Sequence, residues 1–218
     1  GITGGGGVEF PNFLGRGQMF QISYTKGIQN QLQSNNIVQS SSNAQDIEQF
    51  SVSFREPRIN DTNNSIGFSI QKSERGGYAS SSIYRHDINT FSATLSFGRR
   101  FKWPDNYFRG SWSLSISESK YYNTKDALLE DFTEDQISSK GYGLLKGVSL
   151  NQVISRDRRD KAEFPTSGSL VTWSSQFSGG FLGGDRNYSK NIFNINWYTP
   201  FKNNLVFTQN YKFGLINT

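Results

Sequence analysis

Cysteine is absent from the 218-residue chain, which excludes both a disulfide framework and a thiolate metal site. Histidine occurs once, as His86 in "SSIYRHDIN". A lone histidine cannot build a His-rich metal centre, and beside Asp87 in a polar stretch it reads as an inert loop residue rather than a general base. No run approaches the ~18 apolar residues of a membrane-crossing helix. The start, "GITGGGGVEF", lacks the basic end and apolar segment of a signal peptide, so an exported protein would be present here as a mature or cut piece. Hydrophobic residues make up only 34% of the chain. That scarcity does not mean disorder, because aromatics reach 15% and disordered segments are aromatic-poor.

Helix formers are scarce as well. The chain has 22 Gly and 5 Pro, and Ser, Asn, Thr and Gln fill much of the remainder, a composition suited to strands with polar connections. The formal charge is +5. Lys and Arg are scattered rather than lined along one face, so no nucleic-acid footprint is expected.

Alternation with period two runs from end to end. Phe20, Ile22 and Tyr24 share one strand face, as do Phe50, Val52 and Phe54, then Ile66, Phe68 and Ile70. Phe91, Ala93, Leu95 and Phe97 follow, then Trp112, Leu114 and Ile116, then Tyr142, Leu144, Val148 and Leu150. Val171, Trp173 and Phe177, then Phe193, Ile195 and Trp197, then Leu205, Phe207, Tyr211, Phe213 and Leu215 complete the series. With "TGGGGVEF" as an opening strand, about ten strands are expected, many near the ~9 to 11 residues that cross a bilayer. The opposite faces carry Ser23, Ser51, Ser53, Thr94, Ser113, Ser115, Asn194 and Asn196. A soluble sandwich would turn the apolar face inward, and a membrane barrel would turn it to lipid. Periodicity does not choose between them.

The connections do. "NFLGRGQ", "EPRINDTNN", "KWPDNY", "RDRRDKAEFPTSGS" and "TPFKNN" are short or rich in turn residues, whereas residues 28–46, 75–88, 118–140 and 178–190 are long or very polar. The two sets alternate along the chain, as tight turns at one rim and longer loops at the other require. Trp103, Tyr107, Phe108, Phe164, Trp197, Tyr198 and Phe201 gather beside the short turns, as aromatic girdles do at membrane interfaces. The fold class expected is therefore all-β, a transmembrane antiparallel up-and-down β-barrel.

No catalytic, cofactor-binding or metal-binding residue is assigned. "DALLEDFTEDQ" collects five carboxylates, yet it lacks the glycine and alternating oxygen ligands of an EF-hand and reads as a solvated acidic loop. "GGGG" at 4–7 is followed by no Lys-Ser or Lys-Thr, so glycine permitting a sharp bend or a close backbone approach in a strand is preferred to a phosphate loop.

At the short turns the sequence resembles the BamA-type outer-membrane assembly factors. The resemblance rests on "NFLGRGQ", "FREPRINDTNNSIGFSI", "RDRRDKAEFPTSGS" and "WYTPF", in order and spacing. The third is the most specific: the family's D-x-R-D-x-x-x-F-P-T-x-G falls on Asp157, Arg159, Asp160, Phe164, Pro165, Thr166 and Gly168. The other turns contribute Asn12, Phe13, Leu14, Gly15, Gly17, Glu56, Pro57 and Pro200, and the rim contributes Trp103, Tyr107, Trp197 and Tyr198.

The resemblance implies that residues 1–218 are part of a sixteen-stranded barrel, about strands 2 to 11. The POTRA modules, the V-R-G loop and the last strands then lie outside this stretch. It further implies a bacterial outer-membrane protein that is not an enzyme and needs no cofactor. Its role would be to fold and insert nascent barrel proteins, with outer-membrane lipids and accessory lipoproteins as partners. TamA-like and two-partner-secretion translocators share these turns. An outer-membrane barrel enzyme, which would need a cluster of His and acidic residues at the loop rim, and a soluble glycan-binding β-sandwich are the readings outside this family. In "RDRRDK" the charges serve either to dock a POTRA module or lipoprotein, or to cap a strand end outside the hydrocarbon, where charge is inexpensive; the second is preferred.

Overall fold

A computed structural model describes residues 2–30, 44–78, 85–122, 136–137, 142–202 and 205–218. Ten strands follow one another: β1 (Ile2–Phe13), β2 (Gln18–Asn30), β3 (Ala44–Glu56), β4 (Asn64–Tyr78), β5 (Arg85–Arg100), β6 (Phe108–Tyr122), β7 (Gly143–Asp157), β8 (Gly168–Ser178), β9 (Tyr188–Pro200) and β10 (Val206–Asn217). They form one sheet in sequence order, each strand antiparallel to the next wherever the register is described. This is the up-and-down arrangement that the alternating connections predict.

The five short connections fall where the turn residues stand. Between them the strands are longer than their apolar stretches, and the long loops are correspondingly shorter than the sequence suggests. The reason is that alternation continues past the apolar residues as paired charge. Lys26 reaches Glu48 across β2 and β3 at 3.2 Å. Lys72 pairs with Glu74 in β4 at 2.9 Å, and Lys120 with Glu118 in β6 at 3.0 Å. Members of the last two pairs are two residues apart and so share a strand face. His86 lies in the backbone of β5 rather than in a loop. Its side chain lies outside the described residues, as does nearly all of the acidic stretch 126–136.

Two compact units can be distinguished. One comprises Gly1–Arg55, Phe68–Ala93 and Ile116–Lys146; the other comprises Glu56–Gly67, Thr94–Ser115 and Gly147–Thr218. In the first, the glycine run of β1 lies against β2. A Cβ on Gly5 would stand 2.8 Å from the Tyr24 carbonyl oxygen, and one on Gly7 would stand 2.9 Å from that of Ile22. Gly5 and Gly7 therefore permit close backbone approach, which larger residues would push apart, whereas Gly4 and Gly6 face open space. In the second unit, β8 and β9 pair without a break from Gly168↔Tyr198 to Ser178↔Tyr188, and the Trp173 and Phe193 rings stack at 5.7 Å.

Among the described residues no apolar side chain is buried, and the two buried polar ones are Ser169 and Ser175. A sandwich would bury its apolar face against a second sheet; here Leu95 remains 53% exposed and Ile116 55%. Ser169 and Ser175 lie on the same face as Trp173 and Phe177, and on the opposite face hydroxyls pair from strand to strand. Ser23 and Ser51 hydroxyls meet at 2.7 Å, Thr94 and Ser115 at 3.0 Å, and Thr90 and Ser119 at 3.1 Å. A sheet bonded across its polar face and bare on its apolar face is built for surroundings in which the apolar face meets lipid.

Candidate functional site

Turn chemistry is built residue by residue at the short-turn end. Between β1 and β2, the Asn12 carbonyl accepts from Gly15 N–H at 3.0 Å and its side-chain oxygen accepts from Gly17 N–H at 2.6 Å. Leu14, Gly15 and Gly17 all adopt positive φ. Between β3 and β4, the Glu56 carboxylate accepts from Arg58 N–H at 3.1 Å, and Pro57 is exposed beside it. Pro200 closes β9, after which Phe201 N–H reaches the Leu205 carbonyl at 2.7 Å.

The charged turn between β7 and β8 uses its charges on itself. Arg159 forms a fork with Asp157, Nε to Oδ1 at 2.9 Å and Nη2 to Oδ2 at 2.8 Å, and its Nη1 donates to the Ala162 carbonyl at 3.1 Å. Bidentate guanidinium–carboxylate geometry fixes direction as well as distance. Asp160 Oδ1 accepts the N–H groups of Thr166 at 2.9 Å and Ser167 at 3.1 Å, while Oδ2 accepts the Thr166 hydroxyl at 2.6 Å. The Thr166 hydroxyl first, then the Ser167 N–H, hold the Asp160 carboxyl well below the usual carboxylate range. Phe164 sits at φ 52° with its ring exposed, and Gly168 sits at φ 101°. A Cβ on Gly168 would collide with the Arg158 carbonyl oxygen, so only glycine fits. All seven motif positions thus occupy one turn, where Asp157, Arg159, Asp160, Thr166 and Gly168 shape the chain and Phe164 is left exposed.

The preceding short turn is tied to the same strand. Arg156 reaches Asp105 Oδ2 from Nη2 at 2.7 Å and from Nε at 2.8 Å, and its guanidinium carbon stands 5.9 Å from the Tyr107 ring centre and 5.8 Å from that of Phe108. Trp103 is 83% exposed; Tyr107 and Trp197 are exposed, and Tyr198 is half-buried in register with Gly168. The rim aromatics therefore stand at strand ends and turns, with Trp103 and Trp197 offering their rings to the surroundings.

Sequence reasoning missed a polar row on the apolar face. Gln152 lies between Leu150 and Ile154 in β7 and opposite Ser175 of β8, which in turn lies opposite Asn191 of β9. Trp112 Nε1 donates to Gln152 Oε1 at 2.9 Å. Ser175 Oγ donates to Asn191 Oδ1 at 2.6 Å and Trp173 Nε1 donates to the same oxygen at 3.3 Å. An indole N–H only donates, which fixes each amide with its oxygen toward the tryptophan. The available signal was a glutamine in step with apolar neighbours and a tryptophan on the adjacent strand.

Among the described residues no group of three or more His, Cys, Asp or Glu side chains converges on a metal-sized site. The site that the geometry offers is a surface: a bare apolar face bordered by ordered turns, suited to insertion and protein contact.

No curated protein matches the sequence. Among solved structures, the crystal structure of BamA from Haemophilus ducreyi lacking POTRA domains 1-3 superposes with a TM-score of 0.65 at 18% identity. The match covers 100% of this chain and 39% of that one, so the chain spans well under half the length of its structural relative. At that identity the likeness speaks for the fold, an antiparallel barrel wall. The Omp85 superfamily domain matches residues 12–218, from the first short turn through β10, and the chain belongs to that superfamily.

Proposed function

We propose that residues 1–218 form part of the barrel wall of an outer-membrane assembly factor that folds nascent barrel proteins and inserts them into the bacterial outer membrane. The superfamily match across residues 12–218 carries this reading, and the bare apolar face supports it. On this reading the stretch supplies about ten of sixteen strands, the short turns face the periplasm, and the POTRA modules and remaining strands lie outside it. The exposed Phe164 ring, with the charged turn that holds it, faces the POTRA modules and accessory lipoproteins.

The physical logic is strand addition. Insertion of a nascent barrel needs a sheet edge on which an incoming strand completes its hydrogen bonds, beside a wall that lipid already wets. The test is depletion of the full-length protein while the folded fraction of several unrelated outer-membrane barrels is followed. Loss of folded barrels is the expected outcome. Normal assembly would reject the insertase reading and leave that of a TamA-like or two-partner-secretion translocator.

A further inference from the structure

The turn following β3 and the turn following β5 together line a groove of about 830 Å³, formed by Asp61, Thr62, Asn63 and Asn64 on one side and Arg99, Arg100, Phe101, Lys102 and Trp103 on the other. We propose that this groove binds the phosphate of an anionic phospholipid in the leaflet at the short-turn end. The proposal rests on the reading of the chain as a membrane barrel.

Backbone geometry builds the walls. The Arg100 N–H donates to the Asn63 carbonyl at 3.0 Å, joining the two turns. On the first side, the Thr62 hydroxyl donates to the Ile59 carbonyl at 2.6 Å and the Asn64 N–H reaches Thr62 Oγ1 at 3.3 Å. On the second, the Phe101 N–H returns to the Phe108 carbonyl at 3.0 Å. The groove is thus held by hydrogen bonds that do not use the charged side chains.

Charge then selects the ligand. Three cations and one carboxylate line the groove. Among the described residues Arg99, Arg100 and Lys102 have no carboxylate partner within ion-pair distance, Asp61 included. This contrasts with Arg156 at the end of β7 and Arg159 in the turn after it, each of which is neutralised by an aspartate. Arg99 instead stands 5.9 Å from the Phe101 ring centre, a contact that orients the guanidinium without cancelling its charge. Two arginines and a lysine among the residues lining one groove suit phosphate oxygens, which accept forked hydrogen bonds from Arg.

Position selects a lipid over a soluble anion. The last residues of the apolar face on the strands feeding the groove are Ile66 and Phe97, both exposed, and the groove begins two residues from each, at Asn64 and Arg99. A phosphate there lies where hydrocarbon gives way to head groups. Trp103, 83% exposed at the groove's edge, places an indole at the same depth, where tryptophan is favoured.

The test uses the full-length protein in nanodiscs of equimolar phosphatidylglycerol and phosphatidylcholine, released into native mass spectrometry to count retained lipids. Preferential retention of phosphatidylglycerol is expected, falling at least tenfold in Arg99→Gln/Arg100→Gln/Lys102→Gln. A triple variant that removes three charges elsewhere, Arg16→Gln/Arg75→Gln/Arg186→Gln, should keep the preference, and an equal loss there would reduce the effect to net charge and overturn the site. Should the groove triple variant fail to fold, Asn63→Asp adds a negative charge at constant size, and an unchanged preference in it would refute the proposal. Displacement of the lipid by millimolar inorganic phosphate would reassign the groove to a soluble anion. Protein that enters the nanodisc but shows no preference defeats the groove alone. Protein that never enters defeats the membrane reading beneath it.

Discussion

Asp160 accepts both the backbone N–H and the hydroxyl of Thr166, at 2.9 and 2.6 Å, and so closes the turn between β7 and β8 across six residues. The carboxylate form is the one that accepts, and these bonds hold its ionisation well below the usual range. A depressed folded value means that the contribution is complete above the unfolded carboxylate value, about 3.9, and is lost as pH falls below it. Amide exchange should therefore show Thr166 and Ser167 protected at neutral pH, with protection falling selectively below about pH 4. In Asp160→Asn the acid step should vanish and the neutral-pH protection should be reduced throughout. A wild-type profile in Asp160→Asn would show that the turn is held by something else.

Gly168 supports a second prediction because space and conformation both exclude a side chain there. Gly168→Ala meets the Arg158 carbonyl and a φ of 101°, whereas Gly15→Ala meets open space at φ 71°. The second carries only the left-handed cost, about 1–2 kcal/mol; the first adds a backbone collision and should cost clearly more. Guanidinium unfolding of the full-length protein in lipid vesicles should rank the two variants in that order. Equal midpoints would mean that the turn relaxes freely around position 168.

Much of this fold was legible because a sheet that meets lipid repeats a simple rule, and period-two alternation together with alternating connection lengths is enough to lay out ten strands. What escaped was whatever depends on register between strands. Residues 28–30 and 44–46 read as the ends of a polar loop, and only the pairing of Ile28 with Asp46 through Asn30 with Ala44 shows that the strands continue. Gln152 looks like a flaw in an apolar stripe until Trp112 is placed beside it on β6. The charged turn was read from its residue order, but its self-contained pairing of Asp157 with Arg159 arises from a local backbone path that spacing alone does not dictate.

Face assignment yields a third prediction. Leu95 stands on the bare face, while Ser115 is half-buried on the opposite face with its hydroxyl 3.0 Å from that of Thr94. Leu95→Arg should destabilise the membrane-inserted protein by about 2–4 kcal/mol if the position lies near the bilayer midplane. Ser115→Ala removes one hydrogen bond and should cost about 0.5–1.5 kcal/mol. Unfolding midpoints in vesicles separate these ranges. A Leu95→Arg variant as stable as wild type would place that face in water.

The polar row makes the sharpest demand on the lipid-facing reading. In Gln152→Leu the Trp112 indole N–H loses its acceptor in surroundings without water, so the single change should cost about 1–3 kcal/mol despite adding apolar surface. Trp112→Phe leaves the glutamine oxygen unpaired and should also destabilise. The double variant Trp112→Phe/Gln152→Leu removes both polar partners and should be less destabilised than the sum of the singles, with a coupling of about 0.6 kcal/mol and no more than ~1.7 kcal/mol, as for hydrogen bonds within bilayers. Unfolding of all four proteins in vesicles measures that coupling directly. A coupling of zero would mean that water already satisfies both groups, and this part of the apolar face would then lie outside the hydrocarbon.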